Sequence, residues 1–456
     1  MKSNKYIFIL FLCLFSCSIL SAETDITIST ATINNESLEN NKQTITLKQY
    51  QEMSLKNNHD LHKIKLESDM AEQTSKGAFT KYFPKIVAGG GIANTNILPG
   101  LTTPISILPI TDQSNGASVM MLSVTQPLFT GGRIVNGNKL AKSAMNASLY
   151  KLQIKQNEVF AEAEKKYRQF QLLQGKMQTI ISYEKMLDSL YSQVSQAFGL
   201  GISSKSDYLR VQLKKEEISV QKSQLSKMIE IAKKDLKLFA VLAEEYDVQI
   251  DKEFLAIEEP SFNTDNFSAQ LKERPEYKLL QINVEVAKLQ KSMKVGSYLP
   301  TVAVGASLFR TDYFSDNHFD RSAMNYQDTI AFGMISIPLS DWWEASHSIK
   351  EMKIQYDSAQ EQLESIGKYL LLDMESKLTQ LETAYEQVKV AKIGLELAQT
   401  NKLESEDGYK NGTEKLSDYL EALALEQEKE NKLDEAKANY FQAKTAFLIS
   451  TANLEY

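Results

Sequence analysis

Along residues 349–398, apolar or small side chains recur in alternating steps of three and four. They fall at Ile349, Met352, Tyr356, Ala359, Leu363, Ile366 and Leu370, and again at Leu381, Tyr385, Val388, Ala391, Leu395 and Ala398. That spacing keeps one stripe on one side of a helix and makes the seam of a coiled coil. Between the two runs the step becomes 4,4 through Met374 to Leu378, a stutter that locally unwinds a supercoil. Unwound helices can lie side by side in a cylinder instead of twisting into a rope. Residues 133–198 and 344–408 contain no proline, and each predicts a rod of ~100 Å if helical. Shorter helices are predicted over 46–81, 202–241, 267–298 and 413–453. The pair 202–241 and 267–298 together matches the length of one rod, so two short helices end to end can flank a long one.

A second periodicity interrupts the first. Residues 85–97, 117–128, 301–311 and 329–339 read as strands. In the third, Val302, Val304, Ala306 and Leu308 share one face while Thr301, Ala303, Gly305 and Ser307 share the other; in the fourth, Ile330, Phe332 and Met334 face one way. Apolar-out, small-or-polar-in alternation over ~10 residues is the weak signature of a membrane barrel strand. The same alternation also suits hairpins in an ordinary soluble sheet.

These elements are written twice. Ser206-Asp207-Tyr208-Leu209 returns as Ser417-Asp418-Tyr419-Leu420, Gly201 as Gly412, and Pro127-Leu128 as Pro338-Leu339, all at an offset of 211. The span from proline to aspartate (127 to 207 and 338 to 418) is therefore the same in both halves. Tyr82-Phe83-Pro84 returns as Tyr298-Leu299-Pro300 at an offset of 216, which makes the stretch between prolines five residues longer in the first half. The domain plan follows: repeat 1 over 46–242, an acidic linker over 243–265 emerging as a belt at mid-height, and repeat 2 over 266–456. The fold class is mainly α, with long coiled-coil helices forming an α-barrel and four strands per chain. Four antiparallel strands cannot close a barrel, and open edges cannot face lipid, so closure requires further copies of the chain.

Composition adds compartment and exclusions. Residues 1–22 pair a Lys-bearing start with an apolar run from Tyr6 to Leu14 and then small residues, the plan of a secretory signal. Cleavage after Ser18, cleavage after Ala22 and lipidation at Cys17 all fit, and residues 23–45 form a polar N-terminal segment. Cys13 and Cys17 are the only cysteines, so cleavage at Ala22 leaves no thiol for disulfides or metal. Beyond the signal no apolar run approaches the ~20 residues of a transmembrane helix, so a membrane span would have to be built from strands. The 51 basic and 58 acidic residues are interspersed, with a formal net charge of -7; nothing here suits nucleic acid. No enzyme site or cofactor converges: His59 and His62 lack further ligands, His318 and His347 lack acid-base partners, and Gly89-Gly90-Gly91 sits in a strand instead of opening a helix.

The order Tyr-Leu-Pro ("GSYLPTVAVGAS"), Gln-Pro-Leu-Phe ("SVTQPLFTGGR"), Arg-Pro-Glu ("KERPEYKLLQ") and the paired turns ending in Ser-Asp-Tyr-Leu resembles the TolC-type outer-membrane efflux proteins over about 47–453. The resemblance implies a homotrimer with one 12-stranded barrel in outer-membrane lipid, continuous with a periplasmic helical tunnel. It also implies partners: a periplasmic adaptor protein and an inner-membrane efflux or secretion pump. Loops 98–116 and 312–328 would face outside, with Tyr313, Phe314, Phe319 and Tyr326 near the outer interface.

By the same resemblance the turns 199–201 (Gly199, Leu200, Gly201) and 410–412 (Lys410, Asn411, Gly412) are the tips against which adaptor hairpins dock. Gly201 and Gly412 also suit the positive φ that helix ends commonly use. Asp418 and Glu421 would face the lumen and, in a trimer, stack as carboxylate rings that favour cations and bind a blocking multivalent ion. Their spacing alone is equally that of ordinary acids at a helix N-terminus. The family's closed state implies a contact between Asp207 and Tyr409. The basic residue of the family's ionic latch is replaced by Glu414, followed by Lys415, which leaves the ionic half open with Lys415 and Lys205 as substitutes. The rival reading is a periplasmic coiled-coil adaptor or tether without a barrel.

Overall fold

Thr46 opens the first helix with a capping box: its Oγ1 accepts from Gln49 N at 3.3 Å, and Gln49 Oε1 accepts from Thr46 N at 3.0 Å. The computed structural model describes residues 44–94, 116–242, 249–250, 257, 259–260, 266–314 and 325–454, all within one compact unit. The signal segment with Cys17, the loop tips with Phe319 and His318, the side chains of Tyr313, Phe314 and Tyr326, and most of the 243–265 belt lie outside the described residues.

Eight helices and six strands are described: β1 Thr44–Ile45, α1 Leu47–Asn57, α2 His59–Phe79, β2 Lys85–Asn94, β3 Gly116–Phe129, α3 Arg133–Gly199, α4 Lys205–Phe239, β4 Gln249–Ile250, α5 Phe267–Glu273, α6 Pro275–Ser297, β5 Thr301–Phe314, β6 Asn325–Ser336, α7 Trp342–Lys410 and α8 Leu416–Ser450. Two expected helices are broken. The helix over 46–81 divides at Asn58, which takes φ -60, ψ 127 and accepts from Asp60 N and Leu61 N through its side chain, while its Nδ2 donates to Phe239 O at 3.1 Å. The helix over 267–298 divides at Arg274, because the residue before a proline is pushed out of the helical region. Arg274 bonds Asp373 on α7 at 3.0 Å and so ties the break to the rod.

The rods α3 and α7 have 67 and 69 residues, about 100 Å each. In the upper part α2 and α6 pack on α3, and α6 packs on α7; in the lower part α4 and α8 pack on α3, and α8 packs on α7. Short helices thus flank long ones, and the layer runs α4–α3–α8–α7 below and α2–α3–α6–α7 above. On α7 the predicted seam is the less exposed face except at one position. Ile366 points outward and Gly367 is buried against the Tyr277 ring, where the absence of a side chain permits close approach. The α4 and α8 helices have 35 residues each, so repeat equivalence extends to length.

Three apolar clusters hold the layer together. One at the lower tip joins α3, α4 and α8 through residues such as Leu187, Val194, Val211 and Leu423. The second joins α5, α7 and α8 around Met374 and Leu381. The third, near mid-height, gathers Ile45, Tyr50, Tyr167, Phe170 and Leu236; here Tyr167 donates to Ile45 O and β1 pairs in parallel with β4.

The strands form one antiparallel sheet in the order β2-β3-β5-β6, with β2 and β6 at the edges. Its register corrects one expectation. Residues directly opposite in an antiparallel pair project to the same side, and Met334, Phe332 and Ile330 stand opposite Ala303, Gly305 and Ser307. The apolar side chains of β6 therefore share the face of the small residues of β5, not that of Val302, Val304 and Ala306. The physical reason is local: a Cβ on Gly305 would meet Phe332 Cζ at 2.7 Å, so the ring fills the space left by the glycine. A bulge between Pro127 and Phe129 shifts the β3–β5 register, as expected where proline lacks an N–H.

Candidate functional site

The two turns at the foot of the rods are built alike. At the end of α3, Ile202 N donates to Ala197 O at 2.8 Å and Gly201 N to Phe198 O at 3.0 Å, with Gly201 at φ 74. At the end of α7, Thr413 N donates to Gly408 O at 2.9 Å and Gly412 N to Tyr409 O at 3.1 Å, with Gly412 at φ 75. Both are Schellman motifs, in which a left-handed glycine lets the last carbonyls be satisfied while the chain reverses. The second turn is tighter in one respect: a Cβ on Gly408 would meet Glu414 Cγ at 2.8 Å, so Glu414 folds back over the end of α7.

Beneath each turn lies a stacked aromatic pair that joins the outgoing helix to the returning one. Phe198 stacks on Tyr208 with centroids 5.3 Å apart, and Tyr409 stacks on Tyr419 at 5.9 Å. The pairs are related by the same offset of 211. Tyr208, Tyr419 and Tyr409 already stand out in the sequence; the signal for the pairing is that Phe198 matches Tyr409 at the same offset as the Ser-Asp-Tyr-Leu motif. Tyr208 further shares a hydrogen bond with Tyr191 at 2.9 Å, which raises its pKa. Tyr419 is pushed up to about 12 by burial and by the charges of Glu406 and Glu426.

The turns differ at the helix starts. Ser204 caps α4: its Oγ accepts from Asp207 N at 3.0 Å and donates to Asp207 Oδ2 at 2.7 Å. Lys415 holds the equivalent position before α8 and provides no side-chain cap. Asp418 Oδ1 accepts from the neighbouring Ser417 Oγ at 2.9 Å, and Asp418 and Glu421 are both exposed. The structure brings Asp207 and Tyr409 close enough that, after burial, the charge of Asp207 is what raises the Tyr409 pKa. No hydrogen bond joins the two among the described residues; Asp207 Oδ2 accepts from Ser204 Oγ instead. Among the described residues Lys205, Glu414 and Lys415 make no ion pair, and Lys410 pairs with Glu406 at 2.6 Å on its own helix. At the tips Leu200 and Ile202 are 76% and 78% exposed, whereas Asn411 and Thr413 present polar groups at the second.

No group of three or more metal-ligating side chains occurs among the described residues, and none of their helices is long and apolar enough to cross a membrane.

A family model described as "Outer membrane efflux protein" matches residues 51–238 and again residues 267–451, that is, both repeats. The chain belongs to the outer membrane efflux protein family. Its fold is also that of solved channels. The CmeC outer membrane channel of Campylobacter jejuni is 17% identical with a TM-score of 0.76, over 89% of this chain and 85% of that one. VceC of Vibrio cholerae is 12% identical with a TM-score of 0.74, over 89% and 95%. The open state of the Neisseria gonorrhoeae MtrE channel is 15% identical with a TM-score of 0.72, over 89% and 88%. No curated protein matches this chain significantly. This efflux protein thus has its place in the outer membrane of a Gram-negative cell, with a large helical part in the periplasm, and its family is one of channels, not of enzymes. The reading as a periplasmic adaptor without a barrel falls with that membership.

Proposed function

We propose that three copies of this efflux protein close into one duct with a 12-stranded barrel, gated at the paired turns, and receive cargo from an inner-membrane pump through a periplasmic adaptor. The observation that carries this is the state of the layer's two ends. Among the described residues strands β2 and β6 leave unpaired edges, which lipid cannot satisfy. The terminal helices carry matching apolar stripes: Leu209, Leu213 and Val220 on α4, Leu66 and Met70 on α2, and on α7 Tyr369 and Leu372 above with Val390, Ile393 and Leu397 below, Val390 being 68% exposed. An α7 stripe against α2 and α4 of the next copy would bury both, and β6 against the next β2 would complete the sheet.

In such a ring Asp418 and Glu421, one helical turn apart at the start of α8, would form stacked carboxylate rings at the periplasmic entrance. Rings of acids favour cations and hold multivalent ones. The Asp207–Tyr409 approach and Glu414 with Lys415 would lie where the turns meet, and the turns 199–201 and 410–412 would be the docking tips. There the apolar Leu200 and Ile202 supply the adhesive surface.

Planar-bilayer conductance tests the reading. The native trimer is expected to give a small, cation-selective conductance blocked by multivalent cations, with block and selectivity weakened by Asp418→Ala plus Glu421→Ala. A conductance indifferent to both substitutions would keep the duct and remove the gate assignment. Failure of a folded sample to insert would remove the duct.

A further inference from the structure

The unexpected register of β6 has a chemical consequence for the inside of the barrel. Exposure along the strands marks which face is concave. On β5 Ala303, Ser307 and Thr311 are buried within a single chain while Val304, between them, is 41% exposed. On β3 the residues from Val119 to Thr125 alternate in the same sense, Val119, Met121, Ser123 and Thr125 being the more covered set. These covered residues stand opposite one another across the β3–β5 ladder, so they define one face. That face is the inner side of the curved sheet, and the opposite face, with Ile86, Met120, Leu122 and Val304, is the apolar one suited to lipid.

The β6 residues Ile330, Phe332 and Met334 lie on the inner face. On β5 and β3 respectively, Phe309 and Met121 stand opposite each other on that same face, and Asp328 of β6 stands opposite Phe309 there. Outer-facing positions of β6 are instead filled by Ala331, Gly333 and Ile335. An ordinary aqueous barrel interior is polar; this one would be interrupted by an apolar strip, bordered at one end by Asp328, that neither lipid nor the flanking copies reach, because in the proposed ring copies join at strand edges and lipid meets the outer face.

We propose that Ile330, Phe332 and Met334, with Phe309 and Met121, form an apolar, sulfur- and aromatic-bearing contact strip inside the barrel that binds apolar or aromatic organic solutes in transit. This rests on the barrel reading above and names the class of cargo. Thioether and aromatic side chains are polarisable and accommodate varied apolar shapes. A hydrated metal cation gains nothing from these five side chains.

Two adjacent positions test the face assignment. Met334→Cys and Ile335→Cys, each in the assembled trimer in lipid vesicles, are exposed to a membrane-impermeant maleimide. Modification at 334 is expected to be at least tenfold faster than at 335. The reverse order would overturn the strip while leaving the barrel intact. Rapid modification of both would overturn the barrel reading itself, and protection of both would overturn the strip.

The chemistry is tested with tetraphenylphosphonium, using tetramethylammonium as the compact cation of equal charge, so that attraction to gate carboxylates cancels. In planar bilayers tetraphenylphosphonium is expected to reduce or interrupt the potassium current at several-fold lower concentration than tetramethylammonium. Ile330→Ser plus Met334→Ser is expected to abolish that difference, and Ile335→Ser to leave it unchanged. Phe332 is kept because it covers Gly305. Potassium current and trimer recovery equal to native qualify each variant. A variant failing them is replaced by the single substitution Met334→Ser, for which the difference is expected to shrink. An unchanged preference for the aromatic cation in a qualified variant would overturn the proposal.

Discussion

Glu164 and Arg168, one turn apart on α3, are both buried, and what surrounds them explains how a charged pair is tolerated there. Thr445 of α8 donates to Glu164, Arg168 donates to Gln171 at 3.0 Å and lies over the Phe441 ring at 4.2 Å. Burial raises the Glu164 pKa above its ordinary value of 4.5, against the lowering effects of Thr445 and Arg168. A carboxyl with a raised folded-state pKa binds its proton more readily folded than unfolded, so its cost to stability grows as pH rises from the ordinary value through the raised one. Removing Arg168 leaves the carboxylate buried without its partner, a change of about 3–5 kcal/mol. Arg168→Met is therefore expected to lower the thermal unfolding temperature strongly at pH 7.5 and much less at pH 5, with Glu164→Gln added to it restoring most of the loss. A loss equal at both pH values would show that packing against Phe441, not charge, is what Arg168 supplies.

Elements repeat more faithfully than residues. The two Schellman turns coincide at an offset of 211, and so do the far ends of α4 and α8, where Val241 and Ala452 take φ 52 and 55. A left-handed β-branched residue is strained, and its recurrence in the other copy shows that the backbone path was kept while the side chain changed. The helix starts were not kept: Ser204 caps α4, whereas Lys415, at φ -82 and ψ 151, has the backbone of a cap without the side chain. Asp418 N donates to Lys415 O at 3.1 Å, and Lys415→Ser is expected to add a side-chain cap to that amide, worth about 1 kcal/mol, and to slow its hydrogen exchange roughly fivefold. Unaltered exchange at Asp418 would mean that the second turn opens as a unit and no local cap can hold it.

At the scale of the whole molecule the layer ends in stripes that one chain leaves in water. Burying a Leu side chain is worth about 1.5–3 kcal/mol, and the proposed ring of three copies would multiply each contact. Leu397, 66% exposed on α7, is expected to be a sensitive point: Leu397→Glu should prevent or greatly weaken trimer formation, read as loss of the heat-modifiable trimer band. The same change at Lys392, an exposed charged residue of the same helix, should leave the trimer intact. A normal trimer from Leu397→Glu would place the lower contact elsewhere on α7.

The sequence by itself determined the repeat, the rods and the turns, because these depend on local rules. A three-four stripe needs only 3.6-residue geometry, a reversal needs a glycine able to take positive φ, and a duplicated segment keeps its spacing. It also carried the family, through the order of Pro-bearing strand ends and the Ser-Asp-Tyr-Leu pair. Tertiary structure decided what depends on distant partners. Asn58 breaks the first helix because Phe239 O is there to receive its side chain, and Ile366 turns outward because Tyr277 occupies the seam beside Gly367. Alternation along β6 told that Ile330, Phe332 and Met334 share a face, but not which face. Period-two patterning is symmetric under exchange of the two sides, and only pairing with β5, Phe332 over Gly305, selected the inner one.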